Sequence, residues 1–201
     1  MNIVFDIGNV LLRWDPRFLF TQYFENEEEM EWFLAHVCNH EWNLEQDRGR
    51  SFAEAVKLAT AQYPDHAEAI AAYDTQWHQM IPHAIDGTVE IFSELVKRDA
   101  PVYAITNWNG DKFREAKQRF PFLYEFRDIV VSGDEKLLKP DPAIYQLLLG
   151  RNSLEAGDCL FILQATVGSQ TCSPECICDV NRDGVTASDA LLCLRKATGQ
   201  D

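Results

Sequence analysis

The chain has 201 residues, enough for one medium-sized domain or for one domain and a small module. Its composition, 46% hydrophobic and 25% charged, is ordinary for a globular protein and argues against a disordered chain. The formal net charge of −14 disfavours nucleic acid and anionic membranes as partners, because no basic surface is available to neutralise phosphates. A local cluster of donors can still bind a phosphate within an acidic protein.

The two ends of the chain carry different compartment signatures. Met1 leads directly into Asn-Ile-Val-Phe-Asp without a basic or cleavable apolar leader, and no stretch approaches the roughly 18 apolar residues that span a bilayer. The first part therefore predicts a cytoplasmic protein. Cysteines, in contrast, crowd the C-terminal part, which suggests disulfides or a metal site and a chain of composite origin. They are Cys159, Cys172, Cys176, Cys178 and Cys193, whereas Cys38 stands alone before them.

The hydrophobic pattern predicts a strand over residues 2–6, a helical block from about 16 to 82, and then alternating helices and strands. The predicted helices of the second part cover residues 87–98, 111–118 and 141–149, and the strands cover 102–105, 128–131 and 159–162. Such alternation indicates an α/β fold with a parallel, doubly wound sheet and a helical insertion after the first strand.

Polar residues follow the predicted strands at points that converge in this type of sheet. Asp6 follows the first strand, Thr106 and Asn107 follow the second, and Lys139 precedes a helix soon after the third. A carboxylate, a hydroxyl and a lysine at one crevice suit phosphoryl transfer through an aspartyl intermediate. Lysine would offset the negative charge, the hydroxyl would hold a phosphoryl oxygen, and Mg²⁺ would bridge Asp6 and the phosphate.

Three motifs together resemble the haloacid dehalogenase (HAD) superfamily, in the subgroup with a helical cap inserted after the first strand. They are Asp-Ile-Gly-Asn-Val at 6–10, Thr-Asn at 106–107 and Lys-Pro-Asp-Pro-Ala-Ile-Tyr at 139–145, and the resemblance covers about residues 2–162. It implies a HAD-like core at 1–15 and 83–162 and a cap at 16–82 that includes Asp-Arg-Gly-Arg-Ser at 47–51.

The resemblance also implies roles for particular residues. Asp6 would be the nucleophile and a Mg²⁺ ligand, Thr106 the phosphate-binding hydroxyl and Lys139 the charge-neutralising residue. Gly8, Asn9 and Asn107 would bind substrate. The implied substrate is a small phosphorylated metabolite, such as a sugar phosphate, whose leaving group the cap encloses.

The sequence departs from the family pattern at two places. Gly8 stands where most phosphatases of the family carry the acid that protonates the leaving group, although a related subgroup also has Asp-x-Gly-Asn-Val. Leu163-Gln164 stands where a pair of aspartates should complete the Mg²⁺ site, and the rest of the sheet does not follow. The expected result is a truncated sheet, an incomplete Mg²⁺ site and weak catalysis or none.

The last segment, residues 163–201, resembles a dockerin-type calcium repeat. Oxygen ligands alternate at Asp179, Asn181 and Asp183, followed by Gly184 where the loop must turn, and Asp189 would close the loop one residue early. The resemblance implies Ca²⁺ binding and a possible protein partner; the alternative is a polar turn without metal.

Residues 158–162 suit both a phosphatase strand and the helix of a first calcium repeat. Such a segment is expected where two sequences have been joined at a short stretch that they share. Of the two structures, we expect the strand. Two functions stay open for the chain. One is a HAD-type hydrolase with an impaired site, and the other is an inactive scaffold whose tail binds calcium and a protein partner.

Overall fold

The computed structural model describes residues 2–155 and the backbone of residues 159–162. The predicted calcium loop and the Leu163-Gln164 pair lie outside this part, so the expectations about them stay predictions. None of the helices in the described ranges is long and apolar enough to cross a membrane.

In the described ranges, four parallel strands form the sheet: β1 (Asn2–Phe5), β2 (Val102–Thr106), β3 (Asp128–Val131) and β4 (Cys159–Ile162). Their order in the sheet is β3-β2-β1-β4, and Val4 pairs with Tyr103 on one side and with Phe161 on the other. The predicted parallel α/β sheet is therefore confirmed. Residues 159–162 adopt the strand that the phosphatase pattern requires, in register with β1.

Both faces of the central strands β1 and β2 are buried, and the strand alternation divides the core into two clusters. Val4, Tyr103 and Ile105 contact Ile144 and Leu148 on one face. Ile3, Phe5, Val102 and Ala104 point to the other face, into the larger cluster that continues into the helical insertion. This division follows from the two-residue period of a strand.

The helices after the insertion are α6 (Asp86–Lys97), α7 (Gly110–Arg119), α8 (Ser132–Glu135) and α9 (Pro142–Asn152). Two of them begin at side-chain caps. The Asn109 side chain accepts hydrogen bonds from the first turn of α7, and Asp141 accepts one from Ala143 N–H at the start of α9. Pro142 occupies the first turn of its helix, as its sequence position predicts.

The insertion between β1 and β2 contains α1 (Arg17–Phe20), α2 (Glu27–His36), α3 (His40–Asp47), α4 (Phe52–Gln62) and α5 (Ala67–Thr75). Short 3₁₀ turns occupy Pro64–His66 and Trp77–Met80, and a third such turn, Pro121–Tyr124, follows α7. The predicted helical character of 16–82 is confirmed. Its aromatic core centres on fully buried Phe20, whose ring centroid lies 5.0 Å from that of Phe33 and 5.8 Å from that of Tyr73.

Ionic and polar contacts fix the insertion against the helices of the sheet domain. The Lys112 Nζ atom on α7 lies 2.8 Å from the Asp74 carboxylate and donates to the Asp74 carbonyl at 2.9 Å. The Arg119 guanidinium donates to the carbonyls of His78 and Ile81. These contacts involve the ends of α5 and of the following turn, so the insertion is held down at its C-terminal side.

Candidate active site

Two of the three predicted motifs meet at the carboxyl edge of the sheet. Asp6 directly follows β1 and is 9% exposed, and Thr106 ends β2 and is 1% exposed. The neighbouring strands place them side by side, because β1 and β2 pair in parallel. Ser132, fully buried, follows β3 at the same edge.

Lys139 completes this group from the loop that precedes α9. Its Nζ atom lies 2.6 Å from Asp6 Oδ2, and both side chains are nearly buried, with 13% and 12% exposed. The other carboxylate oxygen, Oδ1, accepts a hydrogen bond of 2.8 Å from the Ile7 N–H. A buried charge requires such partners. The sequence separates Asp6 and Lys139 widely, and the fold pairs them as the motif order predicts.

Asn107 positions Lys139 through two hydrogen bonds to its main chain. The Asn107 Oδ1 atom accepts from the Lys139 N–H at 2.8 Å, and its Nδ2 group donates to the Lys139 carbonyl at 3.1 Å. The amide thus ties the end of β2 to the lysine loop. The sequence predicts a substrate-binding role for Asn107, and in the structure its amide contacts the Lys139 main chain at the same site.

Gly8 and Asn9 lie in the loop after Asp6, and both line the cavity described below. Asn9 has a positive φ of 55°, a conformation that asparagine tolerates better than most residues. Its Oδ1 atom accepts a hydrogen bond of 2.9 Å from the Trp14 N–H. The loop therefore turns back sharply beside Asp6.

A cavity of about 430 Å³ opens over this group, within the range of small-molecule sites. Its walls come from both parts of the described chain. The sheet domain contributes Asp6, Gly8, Asn9, Trp14, Thr106, Asn107, Trp108, Asn109, Lys139, Pro140 and Tyr145, and the insertion contributes His40, Asn43, Leu44, Asp47, Phe52 and Trp77. The predicted site residues Asp6, Gly8, Asn9, Thr106, Asn107 and Lys139 thus share one cavity.

The last residue of α3, Asp47, brings a second carboxyl group into the cavity wall. Its surroundings, which exclude most water, raise the pKa of this carboxyl to about 7, while the Asn109 backbone N–H and the Lys139 charge act in the opposite direction. In the sequence, Asp47 is marked only as the first residue of the Asp-Arg-Gly-Arg-Ser segment at 47–51. Its place in the sequence, two residues before Gly49, gives no sign of this environment.

The described residues do not by themselves form a complete metal site. No group of three or more His, Cys, Asp or Glu side chains in these ranges is arranged to hold a metal ion. Asp6 supplies one carboxylate at the cavity, already paired with Lys139. Mg²⁺ is usually held by one or two carboxylates together with substrate phosphates and waters, and Asp6 is the predicted Mg²⁺ ligand among the described residues.

Parallel strands, an aspartate–lysine pair at their carboxyl edge and an all-helical insertion after the first strand define the class of protein. Residues 19–172 match the sequence profile of haloacid dehalogenase-like hydrolases. The chain belongs to this family, as the motifs predicted. The matched region includes Thr106 and Lys139 and begins after Asp6.

Solved structures share the fold at low sequence identity. A HAD family enzyme from Bacteroides thetaiotaomicron, in complex with magnesium and inorganic phosphate, is 20% identical with a TM-score of 0.58, over 80% of this chain and 82% of that one. A dehalogenase with an intermediate complex is 17% identical with a TM-score of 0.60, over 82% and 76%. A protein from Thermotoga maritima assigned as a β-phosphoglucomutase is 16% identical with a TM-score of 0.58, over 98% and 99%. A search among curated protein sequences found no match.

Proposed function

We propose that this protein is a phosphatase-type hydrolase that transfers the phosphoryl group of a small phosphorylated metabolite first to Asp6 and then to water. The observation that carries the proposal is the Asp6–Lys139 pair, with 2.6 Å between Nζ and Oδ2, at the carboxyl edge of the sheet. A nucleophilic carboxylate must approach an anionic phosphate, and a fixed positive charge beside it reduces their repulsion.

The other polar groups at the strand ends fit supporting roles. Thr106 places a hydroxyl beside Asp6, where it and the backbone N–H groups of the Asp6 loop can donate to phosphoryl oxygens. Asn107 holds the Lys139 main chain and thereby orients the lysine toward Asp6. In this assignment Asp6 forms the covalent bond and Lys139 and Thr106 stabilise the charge that develops on phosphorus oxygens.

The cavity supports a small polar substrate with an apolar face, such as a sugar phosphate. Its walls combine the indole and phenyl rings of Trp14, Trp77 and Phe52 with the amides of Asn9 and Asn43. Because the insertion supplies one wall, it would act as the cap that encloses the leaving group. Among the similar structures, one was solved with magnesium and inorganic phosphate and another is assigned as a β-phosphoglucomutase.

We expect this activity to be weak. Asp6 is the sole predicted Mg²⁺ ligand within the described ranges, and the sequence has Leu163-Gln164 where the family places the remaining carboxylates. Without those carboxylates, Mg²⁺ affinity should fall, and turnover should be slow and require millimolar metal.

The test is the hydrolysis of p-nitrophenyl phosphate at several Mg²⁺ concentrations by the full-length wild type, Asp6→Asn and Asp65→Asn. Asp65 lies on the exposed surface of the insertion and serves as the matched carboxylate control. Turnover that is retained in Asp65→Asn and abolished in Asp6→Asn, with both variants folded by circular dichroism, supports the proposal. Equal rates in wild type and Asp6→Asn would refute it.

A second candidate is an inactive scaffold whose C-terminal segment binds Ca²⁺ and a protein partner. The alternating oxygen ligands Asp179, Asn181 and Asp183 favour this candidate. So does Leu163-Gln164, which stands where the phosphatase pattern has two aspartates. Calorimetric titration of the full chain with Ca²⁺ tests this candidate, with Asp183→Asn as the control. Heat of binding in wild type alone, combined with absent phosphatase turnover, would favour the scaffold.

A further inference from the structure

The insertion carries one carboxyl group into the cavity, and this group is fixed to the sheet domain. Ser132, after β3, donates its hydroxyl hydrogen to the Asp47 carbonyl at 2.6 Å. The Asn109 side chain donates to the neighbouring Gln46 carbonyl at 3.3 Å. These bonds join the last turn of α3 to the strand ends, so the position of Asp47 relative to the strand-end residues does not depend on contacts within the insertion alone.

Close backbone packing holds the same turn. Gly49 has a φ of +108°, and a Cβ atom there would lie 2.9 Å from the Gly133 carbonyl oxygen. The turn after Asp47 therefore rests directly on the backbone that follows β3. The Asp47 side chain itself receives a hydrogen bond of 3.2 Å from the Asn43 amide, one helical turn earlier.

Charged and titratable groups from several elements surround this carboxyl. Lys139 lowers its pKa, whereas the loss of water around it raises the pKa more strongly, to about 7. Asp6 and His40 line the same cavity, and Tyr73 of α5 lies near enough for its own pKa to be affected by Asp47. A carboxyl with this pKa holds its proton in a large fraction of molecules near neutral pH, unlike an ordinary aspartic acid.

The reaction proposed above lacks a proton donor at the usual place. An alkoxide leaving group needs a proton as its bond to phosphorus breaks, and Gly8 occupies the position from which most related phosphatases supply it. Of the remaining carboxyl groups in the described ranges, Asp47 is the one that lines the cavity besides Asp6.

We propose, resting on the phosphatase function above, that Asp47 is the general acid that protonates the leaving group in place of the residue missing at Gly8. When an Asp6 oxygen attacks phosphorus, the bond from phosphorus to the leaving oxygen breaks. The Asp47 O–H proton passes to that oxygen, which leaves as a neutral alcohol. Asp47 is then a carboxylate.

The second half-reaction restores both groups. The Asp47 carboxylate accepts a proton from a water molecule as the water oxygen attacks phosphorus. The bond between phosphorus and the Asp6 oxygen breaks, inorganic phosphate forms, and Asp6 returns to its carboxylate. A cap residue would in this way supply the acid that the loop after Asp6 supplies in other members, and closure of the insertion would be required for catalysis.

The experiment compares two aryl phosphates of similar shape. Phenyl phosphate releases a phenolate of pKa about 10, as for tyrosine, which benefits strongly from a proton, whereas p-nitrophenyl phosphate releases a much weaker base. Asp47→Asn should lower kcat/KM, which reports the first phosphoryl transfer and not the common second step, by about a hundredfold on phenyl phosphate and by less than about tenfold on p-nitrophenyl phosphate. Glu45→Gln, an exposed position on the same helix, should change neither rate.

Equal losses on the two substrates would show that Asp47 has only a structural role and would overturn the inference. Absence of Asp6-dependent turnover in wild type would instead refute the proposed function. Carbon-13 NMR of the carboxyl groups measures the protonation state of Asp47 directly, and the spectrum of Asp47→Asn assigns its signal. A signal that is fully ionised at about pH 6 would overturn Asp47 as a proton donor, and one still protonated there would support it.

Discussion

Replacement of Asp47 by asparagine should change how the stability of the protein depends on pH. In the folded wild type the pKa of this carboxyl is about 7, whereas the same group in an unfolded chain has the ordinary value of 3.8. Between these two values the folded state keeps a proton that the unfolded state has already released. Wild-type stability therefore falls as pH rises through this interval, and asparagine removes that contribution because it does not titrate.

The size of the effect follows from the two pKa values. One pKa unit corresponds to about 1.4 kcal/mol, so the full interval corresponds to about 4 kcal/mol. Between about pH 4.5 and about pH 8 the free energy of unfolding of the wild type should fall by at most about 3 kcal/mol relative to that of Asp47→Asn. Because the cavity admits water to one side of Asp47, we expect roughly 1–3 kcal/mol in practice.

Urea unfolding at the two pH values measures this difference. Wild type, Asp47→Asn and the surface control Glu45→Gln are unfolded in parallel, and each variant is compared with wild type at the same pH. Other titrating groups then cancel. The difference in unfolding free energy between wild type and Asp47→Asn should change across this range if Asp47 is desolvated. A difference constant within about 0.5 kcal/mol would refute that reasoning.

Three further changes probe how the site is held together. Lys139→Met should lower stability by about 3 kcal/mol in urea unfolding, because it leaves the Asp6 carboxylate without its partner at 2.6 Å; Lys97→Met, in an exposed pair, is the control. Asn107→Ala should cost about 2 kcal/mol by removing two hydrogen bonds to the Lys139 main chain, and an unchanged midpoint would contradict that role. Gly49→Ala should cost more than about 1 kcal/mol, since φ is +108° and Gly133 O lies in the way; thermal unfolding measures it, with Gly87→Ala, where a Cβ meets nothing within 4 Å, as the comparison.

The elements were predictable because their hydrophobic patterns are locally consistent. Residues 128–131 and 159–162 form strands over the predicted bounds, and α6, α7 and α9 differ from the predicted helices by a few residues at their ends. Side-chain caps account for such shifts: Asn109 starts α7 at Gly110, one residue before the predicted start.

The segment at 159–162 shows how a global preference resolves a local ambiguity. Its sequence suits a strand or a helix. As a strand it pairs with all four residues of β1, and this pairing satisfies backbone N–H and C=O groups of β1 that would lack partners if the segment were a helix. The register with β1 then places it beside the strand that carries Asp6.

The convergence of Asp6, Thr106 and Lys139 was also determined by the sequence, since parallel strands bring their carboxyl ends to one edge in any doubly wound sheet. The role of Asp47 was not. Its desolvation depends on groups distant in the chain, because Ser132 and Asn109 draw the end of α3 onto the strand ends, while the charge of Lys139 offsets part of the rise in its pKa. Strand order and motif order are encoded locally, whereas the pKa of a carboxyl depends on the water and charges around it, and only the tertiary structure decides those.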